Sequence, residues 1–484
     1  MIGSAVPHPD GTVRNPWLRE ALEIEGHPSP APGPARDLEV DVAIVGGGYT
    51  GLWTAYQLTE HDPQLRIAVL EQDICGGGPS GRNGGFVNAW WDEIGSLVEL
   101  FGDEGAVACA QAVAGSVGEI GAWCDRHAVD AHYRRAGMIV VSTTSFHDGR
   151  WLADIEAATR LGFPDAYRRL SADEVAARCR SPRFRGGALM ADGATIQPAL
   201  LVRGLRRVCL ERGVRIHERT RVTGLRDRSG PAVRLRVRSA EAQVDVRAGH
   251  VVMAMNAWMA GWSPFRHRVL AWGSYLVRTE PAPDLIAAEL GWSGGESIVD
   301  ARFSIHYLHV TRDGRIAIGA GGGKPGLGGR IGPSFTDDLP SARRAAEALR
   351  RFFPALDRVA ITDAWGGPID VSPDHLPQFG TLPGGRLHYG FGYSGNGVAP
   401  SHLGGRILAG LVVGADGELS RLPLVDRRPR RFPPEPFRFA GARILREAMI
   451  RREDAEEVGR RPGPILRELS RLPRRLGYRL GPGG

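Results

Sequence analysis

Lysine is nearly missing from this 484-residue chain: Lys324 stands alone, and arginine takes the other basic positions. The formal net charge of +7 therefore does not describe a basic face. From Asp426 to the end, 16 arginines meet 8 acidic residues, a net of +8 that leaves −1 for the rest of the chain. A near-neutral body with a basic tail excludes the broad cationic surface that nucleic acid requires, so no nucleic-acid partner is expected. Cysteine is scarce. Cys75, Cys109, Cys124, Cys179 and Cys209 are odd in number and follow no metal-ligand spacing, which excludes a disulfide framework and fits a reducing cytoplasm. No uninterrupted apolar run reaches the length of about eighteen residues that a membrane span needs. The start has no basic segment followed by an apolar one, so no secretory leader is expected, and the expected location is cytoplasmic. Neither a Ser-His-Asp set nor a pair of catalytic carboxylates is evident, and no metal is expected.

What the chain does have is 42% apolar and 24% charged residues, the proportions of a globular protein, and a length that implies two or three domains. Val40 to Val45 reads as a buried strand, Gly46, Gly47 and Gly48 as a tight turn, and Gly51 as the start of a helix. A second apolar run, Ile67 to Leu70, ends in Glu71. Gly46 permits the turn, Gly48 admits a pyrophosphate close to the backbone, and Gly51 lets helix and strand approach. The helix N-terminus, with Tyr49 and Thr50, offers N–H groups and a positive dipole end to phosphate. Glu71 stands where a ribose diol would donate to it. Together these predict a dinucleotide site.

Two further glycine-rich segments carry chemistry. Gly76 to Gly85 follows Glu71 almost at once, and its clustered N–H groups with Ser80, Arg82 and Asn83 suit a large anionic cofactor. Gly390 to Val398 repeats the pattern of strand, glycine turn and helix entry, where N–H groups stabilise negative charge. Elsewhere a helix is predicted over Leu200 to Arg212 and another over Ser341 to Phe353. Strands are predicted over Met138 to Thr143, Val214 to His217, from Val222, over Val251 to Asn256, Ser274 to Thr279, Ser304 to Val310, Arg315 to Gly319 and Leu387 to Phe391. Tyr307 and His309 alternate along one of these strands and so share a face. Trp90 and Trp91 read as core, with pocket shaping as the alternative. The first 37 residues read as a polar extension ending in a stiff proline-rich linker.

The ordered set Val45-Gly-Gly-Gly-Tyr-Thr-Gly-Leu52, Ser80-Gly-Arg-Asn-Gly-Gly85, Asn256-Ala257, Trp365-Gly366-Gly367, Pro377-Gln378-Phe379-Gly380 and Gly392-Tyr-Ser-Gly395 with Gly397-Val398 resembles the FAD-dependent D-amino-acid-oxidase superfamily. Within it, the chain is most similar to the γ-glutamylputrescine oxidase-like members. The resemblance implies a mixed α/β fold: a discontinuous, doubly wound FAD domain and a substrate domain with a large, mainly antiparallel sheet. The expected boundaries are 38–134, 181–264 and 361–425 for the FAD domain, 135–180 and 265–360 for the substrate domain, and 426–484 for the tail. The FAD set is Gly46, Gly48, Tyr49, Thr50, Gly51, Glu71, Ser80, Arg82, Asn83, Gly84, Val222, Gly392, Ser394, Gly395, Asn396, Gly397 and Val398. The resemblance places Val222 against the adenine and 392–398 along the isoalloxazine.

Departures from the family refine the expectation. Glycine oxidase-like members use an arginine four residues after the equivalent of Trp365 to hold the substrate carboxylate; here Ile369 stands there, followed by Asp370, which would attract an ammonium. The position of the lysine that assists oxygen in sarcosine oxidases is Ala317, and the histidine that attaches flavin in dimethylglycine-type enzymes is replaced by Arg82. Non-covalent FAD is expected, with Cys75 as the remaining candidate for attachment. The expected activity is oxidation of a primary or secondary amine by hydride transfer to flavin, with oxygen reduced to peroxide. Tyr307, His309 and Asp370 are the substrate-facing candidates. The alternatives are a dehydrogenase that passes electrons to a quinone or carrier protein, and a silent FAD-binding subunit. The basic tail, with Phe437, Ala440, Ile444, Ala448 and Met449 at near-helical spacing, is expected to dock on its own body. The alternative is contact with an anionic membrane surface or a partner.

Overall fold

The computed structural model describes residues 14–226 and 230–479. The strand Leu38–Val45 lies at the centre of an eight-stranded sheet. Its residues from Val42 to Val45 are buried, as befits a parallel strand covered on both faces. Ile67–Leu70 pairs parallel on one side, with Arg215–His217 beyond it. Gln243–Met253 pairs parallel on the other side and carries Leu387–Phe391, again parallel, along its far end. An antiparallel meander of Arg221–Arg226 and Val233–Arg238 attaches to the same long strand. Val45 faces Leu70 and Met253 in register, so the carboxyl ends of these strands open at one edge, where ligands bind in such sheets. The helices Tyr49–His61 and Val398–Val413 both begin at that edge.

A second eight-stranded sheet runs in the order Ile361–Val371, Leu270–Thr279, Ile316–Ala320, His306–Val310, Ser297–Asp300, Met138–Val141, Gly187–Met190 and Tyr167–Leu170. Every pair is antiparallel except Met138–Val141 with Ser297–Asp300. The helix Leu339–Phe352 covers one face, burying Ala345, Ala348, Leu349 and Phe352 with Val277, Leu308, Ile316 and Ile318. The other face carries Leu276, Tyr307, Ala317 and Trp365.

Two boundaries expected from the sequence do not follow this pairing. Gly187–Met190 was placed with the FAD segments after residue 181, yet it pairs with Met138–Val141. Ile361–Val371 was placed there too, yet it is the edge strand beside Leu270–Thr279. Its Gly366, Gly367 and Pro368 hide the strand character that its burial makes plain. The N-terminal segment is also more than a polar extension. Asn15 caps a helix, Pro16–Ile24, by accepting the Leu18 N–H at 3.2 Å, and Trp17, Leu18, Ala21 and Leu22 are buried. This helix ties the two sheets together. Arg14 bonds Asp73 at 2.6 Å and Gln197 donates to the Trp17 carbonyl at 2.8 Å, while Arg19 pairs with Asp363 at 3.3 Å and Glu20 with Arg278 at 2.6 Å.

The tail forms two helices, Phe437–Glu457 and Pro464–Arg475. The first docks on the body, but not through the apolar stripe expected from spacing. Ala448 and Met449 are buried, whereas Phe437 and Ile444 are 71% and 58% exposed. Polar anchors replace them. Glu453 accepts the Ser304 N–H at 2.9 Å, Glu457 lies 3.3 Å from Arg302, and Arg446 donates to the carbonyls of Gly322 and Gly323 at 2.7 Å. No helix among the described residues is long and apolar enough to cross a membrane.

Candidate cofactor and substrate cavity

A cavity of about 1010 Å³ runs from the open edge of the first sheet to the exposed face of the second. At its near end the wall is largely backbone. Gly46, Gly47, Gly48, Tyr49 and Thr50 line it, with Glu71, Gln72, Asp73 and Thr220 to Thr223. Gly46 has φ +114°, and a Cβ there would sit 2.4 Å from the Ala254 carbonyl oxygen. Gly51 lies behind the wall. A Cβ on it would meet the Gly46 carbonyl oxygen at 2.0 Å, which is why helix and strand approach so closely only with glycine. Glu71 accepts the N–H groups of Gly47 at 2.7 Å and Asp73 at 2.8 Å. Burial pushes its carboxyl up to about 7, against the pull of those two donors.

The Gly76–Gly85 segment folds over the helix entry. Ser80 Oγ accepts the Tyr49 N–H at 2.9 Å. Asn83 works within its own loop, donating to the carbonyls of Pro79 and Ser80 and accepting the Gly85 N–H at 2.8 Å. Arg82 donates from Nε to the Gly77 carbonyl at 2.8 Å and from a terminal nitrogen to the Gly366 carbonyl at 3.3 Å. Trp365 Nε1 donates back to the Arg82 carbonyl at 2.8 Å, so this loop is stitched to the edge strand of the second sheet. Tyr49 turns its hydroxyl away to the Pro198 carbonyl, whereas Thr50 shares a 2.7 Å hydrogen bond with Tyr393. That bond links the first glycine turn to the third.

The third turn is held by Asp370. One carboxylate oxygen accepts the Gly392 N–H at 2.5 Å, and the Asp370 carbonyl accepts the Ser394 N–H at 3.0 Å. Burial pushes the group up to about 7, against the pull of the Gly392 N–H and the Asn256 side chain. Ser394, Gly395, Asn396, Gly397 and Val398 line the cavity, with the Val398–Val413 helix starting at the wall; Gly392 lies just behind. Asn256 also lines the wall.

At the far end Phe86, Trp272, Ser274, Phe303, Ile305, Tyr307 and Ile369 form the wall. Tyr307 lies edge-to-face on Phe86 at 5.6 Å, its hydroxyl is 2.9 Å from Ser274 Oγ, and burial pushes it up to about 12. Its ring fills the space above Gly84, whose Cβ position lies 2.8 Å from it. His309 is on the same strand face, but it is not on the cavity wall. Its ring stacks on Trp17 at 6.4 Å and meets Phe86 edge-on at 5.8 Å, and burial pushes it down to about 4. Period-two alternation gives the face correctly, yet the N-terminal helix covers that part of it. Of the adjacent tryptophans, Trp90 lines the cavity, and Trp91 packs on Phe163.

The near end has the attributes of a dinucleotide cradle: a turn that any Cβ would block, an acidic residue beyond the second strand, and two helix N-termini on one cavity. Val222 lines the same region. These residues fit FAD. The family model of FAD dependent oxidoreductases matches residues 41–411. The gamma-glutamylputrescine oxidoreductase of Escherichia coli is 29% identical over 414 residues, covering 84% of this chain and 89% of that protein. Sarcosine oxidase subunit beta of Rhizobium meliloti is 24% identical over 401 residues, 81% and 89% of the two chains. The glycine oxidase structure from Geobacillus kaustophilus superposes with a TM-score of 0.65 at 19% identity, covering 81% of this chain and all of that one. The chain belongs to the DAO family of FAD dependent oxidoreductases.

Proposed function

We propose that the protein oxidises a primary or secondary amine in the far half of this cavity. FAD, when bound, would supply the two-electron acceptor for oxidation of the carbon next to nitrogen, and water would hydrolyse the resulting imine to a carbonyl compound and a smaller amine or ammonia. The observation that carries the amine reading is the charge of the far wall. Ile369 occupies the place of a carboxylate-binding arginine and lines the cavity, and an aliphatic side chain cannot pair a carboxylate. Arg82, an arginine of the same cavity, is already engaged by two backbone carbonyls. Asp370 supplies an acidic group behind the same wall, a sign of charge that favours an ammonium over a carboxylate. The relative named for γ-glutamylputrescine fits the same substrate class.

Each residue of the chain has a stated task in this reading. Tyr307, fixed by Ser274 and Phe86, shapes the apolar wall that excludes water from the reacting carbon. Asp370 holds the 392–398 turn, so its N–H groups and the helix N-terminus face the end where negative charge accumulates. We assign FAD as non-covalently bound. Arg82 replaces an attaching histidine, and the Cys75 thiol is fully buried behind Gly47 and pushed well above its ordinary range by burial. Because an ammonium is a poor hydride donor, flavin reduction should rise with pH as the bound amine loses its proton.

One observation favours a second reading of the electron acceptor. Ala317 is buried against Trp17, Leu276 and Trp365, and Lys324 is held by Asp338 outside the cavity. With no lysine amine beside the site, electrons would pass to a quinone or carrier protein in place of oxygen. Anaerobic bleaching by a panel of polyamines, N-methyl amines and amino acids tests the substrate class; bleaching by amino acids alone overturns it. Stoichiometric peroxide in air supports the oxidase, and its absence supports the dehydrogenase.

A further inference from the structure

The strand Phe86–Asn88 runs antiparallel to Gly193–Thr195, and a single turn at Trp91–Glu93 leads into the helix that follows. This short path brings Asn88, Trp90, Asp92 and Glu93 to the wall of the same cavity, together with Met138 and Val299. The segment carries two acids and no cationic side chain. Asn88 is 6% exposed, its Nδ2 is turned to Met138 Sδ at 2.8 Å, and its Oδ1 is left without a hydrogen-bond partner. Asp92 Oδ1 is buried without a partner as well. Glu93 is engaged by charge alone: burial, Asp92 and Asp154 push it up to about 8, and Arg479 pulls it down. Arg479 does not neutralise it, because its guanidinium is held by Glu99 at 2.6 Å. Asp154 is likewise occupied, accepting the Gly95 N–H at 2.9 Å.

An isolated pair of buried acids would be a cost to the fold, since unpartnered carboxylates lose their hydration without compensation. On a cavity wall the missing partner is a ligand. Three unfilled acceptors call for a compact cation with several N–H donors, which is the chemistry of an alkylammonium. We propose that Asn88, Trp90, Asp92 and Glu93 form a subsite for a second, distal ammonium of the substrate, so the preferred substrates are diamines or longer polyamines. The inference rests on the amine reading above and narrows it. The oxidised nitrogen lies towards Tyr307 and Ile369, and a protonated nitrogen further along the carbon chain rests on the Asn88–Glu93 segment.

The test uses the holoenzyme and a series of α,ω-diamines matched to monoamines of equal chain length, each scored by kcat/KM for anaerobic flavin reduction. The expected result is a preference of about tenfold or more for the best diamine over its matched monoamine, as charge-assisted hydrogen bonds give, with a clear optimum in chain length. In Asp92→Asn and Glu93→Gln that ratio falls to within about twofold, while the flavin absorption spectrum shows that FAD remains bound. Equal rates for diamines and monoamines at every length overturn the subsite and leave the amine reading standing. So does a ratio that survives in both variants. Failure of every amine to reduce the flavin overturns both. If the variants do not retain FAD, the chain-length series on the unaltered protein decides alone.

Discussion

The two ends of the cavity are built by different means. The near end is made of backbone from one continuous stretch: a strand, three glycines and a helix, closed by Glu71 after the next strand. The far end is made of side chains from four separate segments, at Phe86, Trp272 to Ser274, Phe303 to Tyr307 and Ile369. A backbone cradle tolerates no added atom and recognises what every member of the family holds. A side-chain wall can be changed one residue at a time, and there the substrate is chosen.

The largest effect should come from adding a methyl group to the near end. Gly51→Ala places a Cβ 2.0 Å from the Gly46 carbonyl oxygen, an overpacking cost of about 3 kcal/mol or more. FAD affinity should fall by about a hundredfold, read from flavin absorbance per protein after purification; full occupancy would show that the cradle is more pliable than its contacts imply. Next, Ile369→Arg puts a cation on the far wall. Amine turnover should drop by about tenfold from like-charge repulsion while FAD content stays unchanged, and an α-amino acid should gain ground against the amine. Equal loss of FAD would blur the distinction between the two ends. Tyr307→Phe removes only the hydroxyl held by Ser274, so kcat/KM should fall by about three- to tenfold.

The smallest effect is on stability. Burial and the neighbouring Asp92 and Asp154 push Glu93 up to about 8 in the folded protein with the cavity empty, against about 4.5 in the unfolded chain. Its contribution is therefore complete below about pH 4.5 and is lost as the pH rises towards 8. Asp92 and Asp154, pushed up to about 7 and about 6, act in the same direction. Glu93→Gln should flatten the decline of melting temperature across that window, and an unchanged slope would place the pH dependence elsewhere.

The same contrast explains what could be read from the residues alone. The near end was legible because each part is local: apolar strand residues, glycines at fixed offsets and an acid after the second strand. Ile369 was legible only as a departure from a pattern, and the cavity wall gives that departure a place. His309 shows where alternation stops informing. It fixes which face a residue takes, not how far the cavity extends along that face. Trp17 gave no signal, since its partners lie near residues 197, 309 and 365. Gly187–Met190 and Ile361–Val371 escaped for a related reason. Short or glycine-containing strands gain their identity from pairing partners distant in sequence.

The Pro16–Ile24 helix has a consequence for the order in which the molecule is assembled. Its ion pair from Arg19 to Asp363 spans 344 positions, and its contacts with Arg278 and Gln197 are also remote. During synthesis this helix is made before every segment it docks on, and it meets Asp363 only after more than 340 further residues have been added. Until then Trp17, Leu18, Ala21 and Leu22 form an apolar stripe without a counterpart, the kind of surface that chaperones hold. A helix made early is thus among the last to settle, and its loss should be felt at Arg278 and Asp363 on the second sheet.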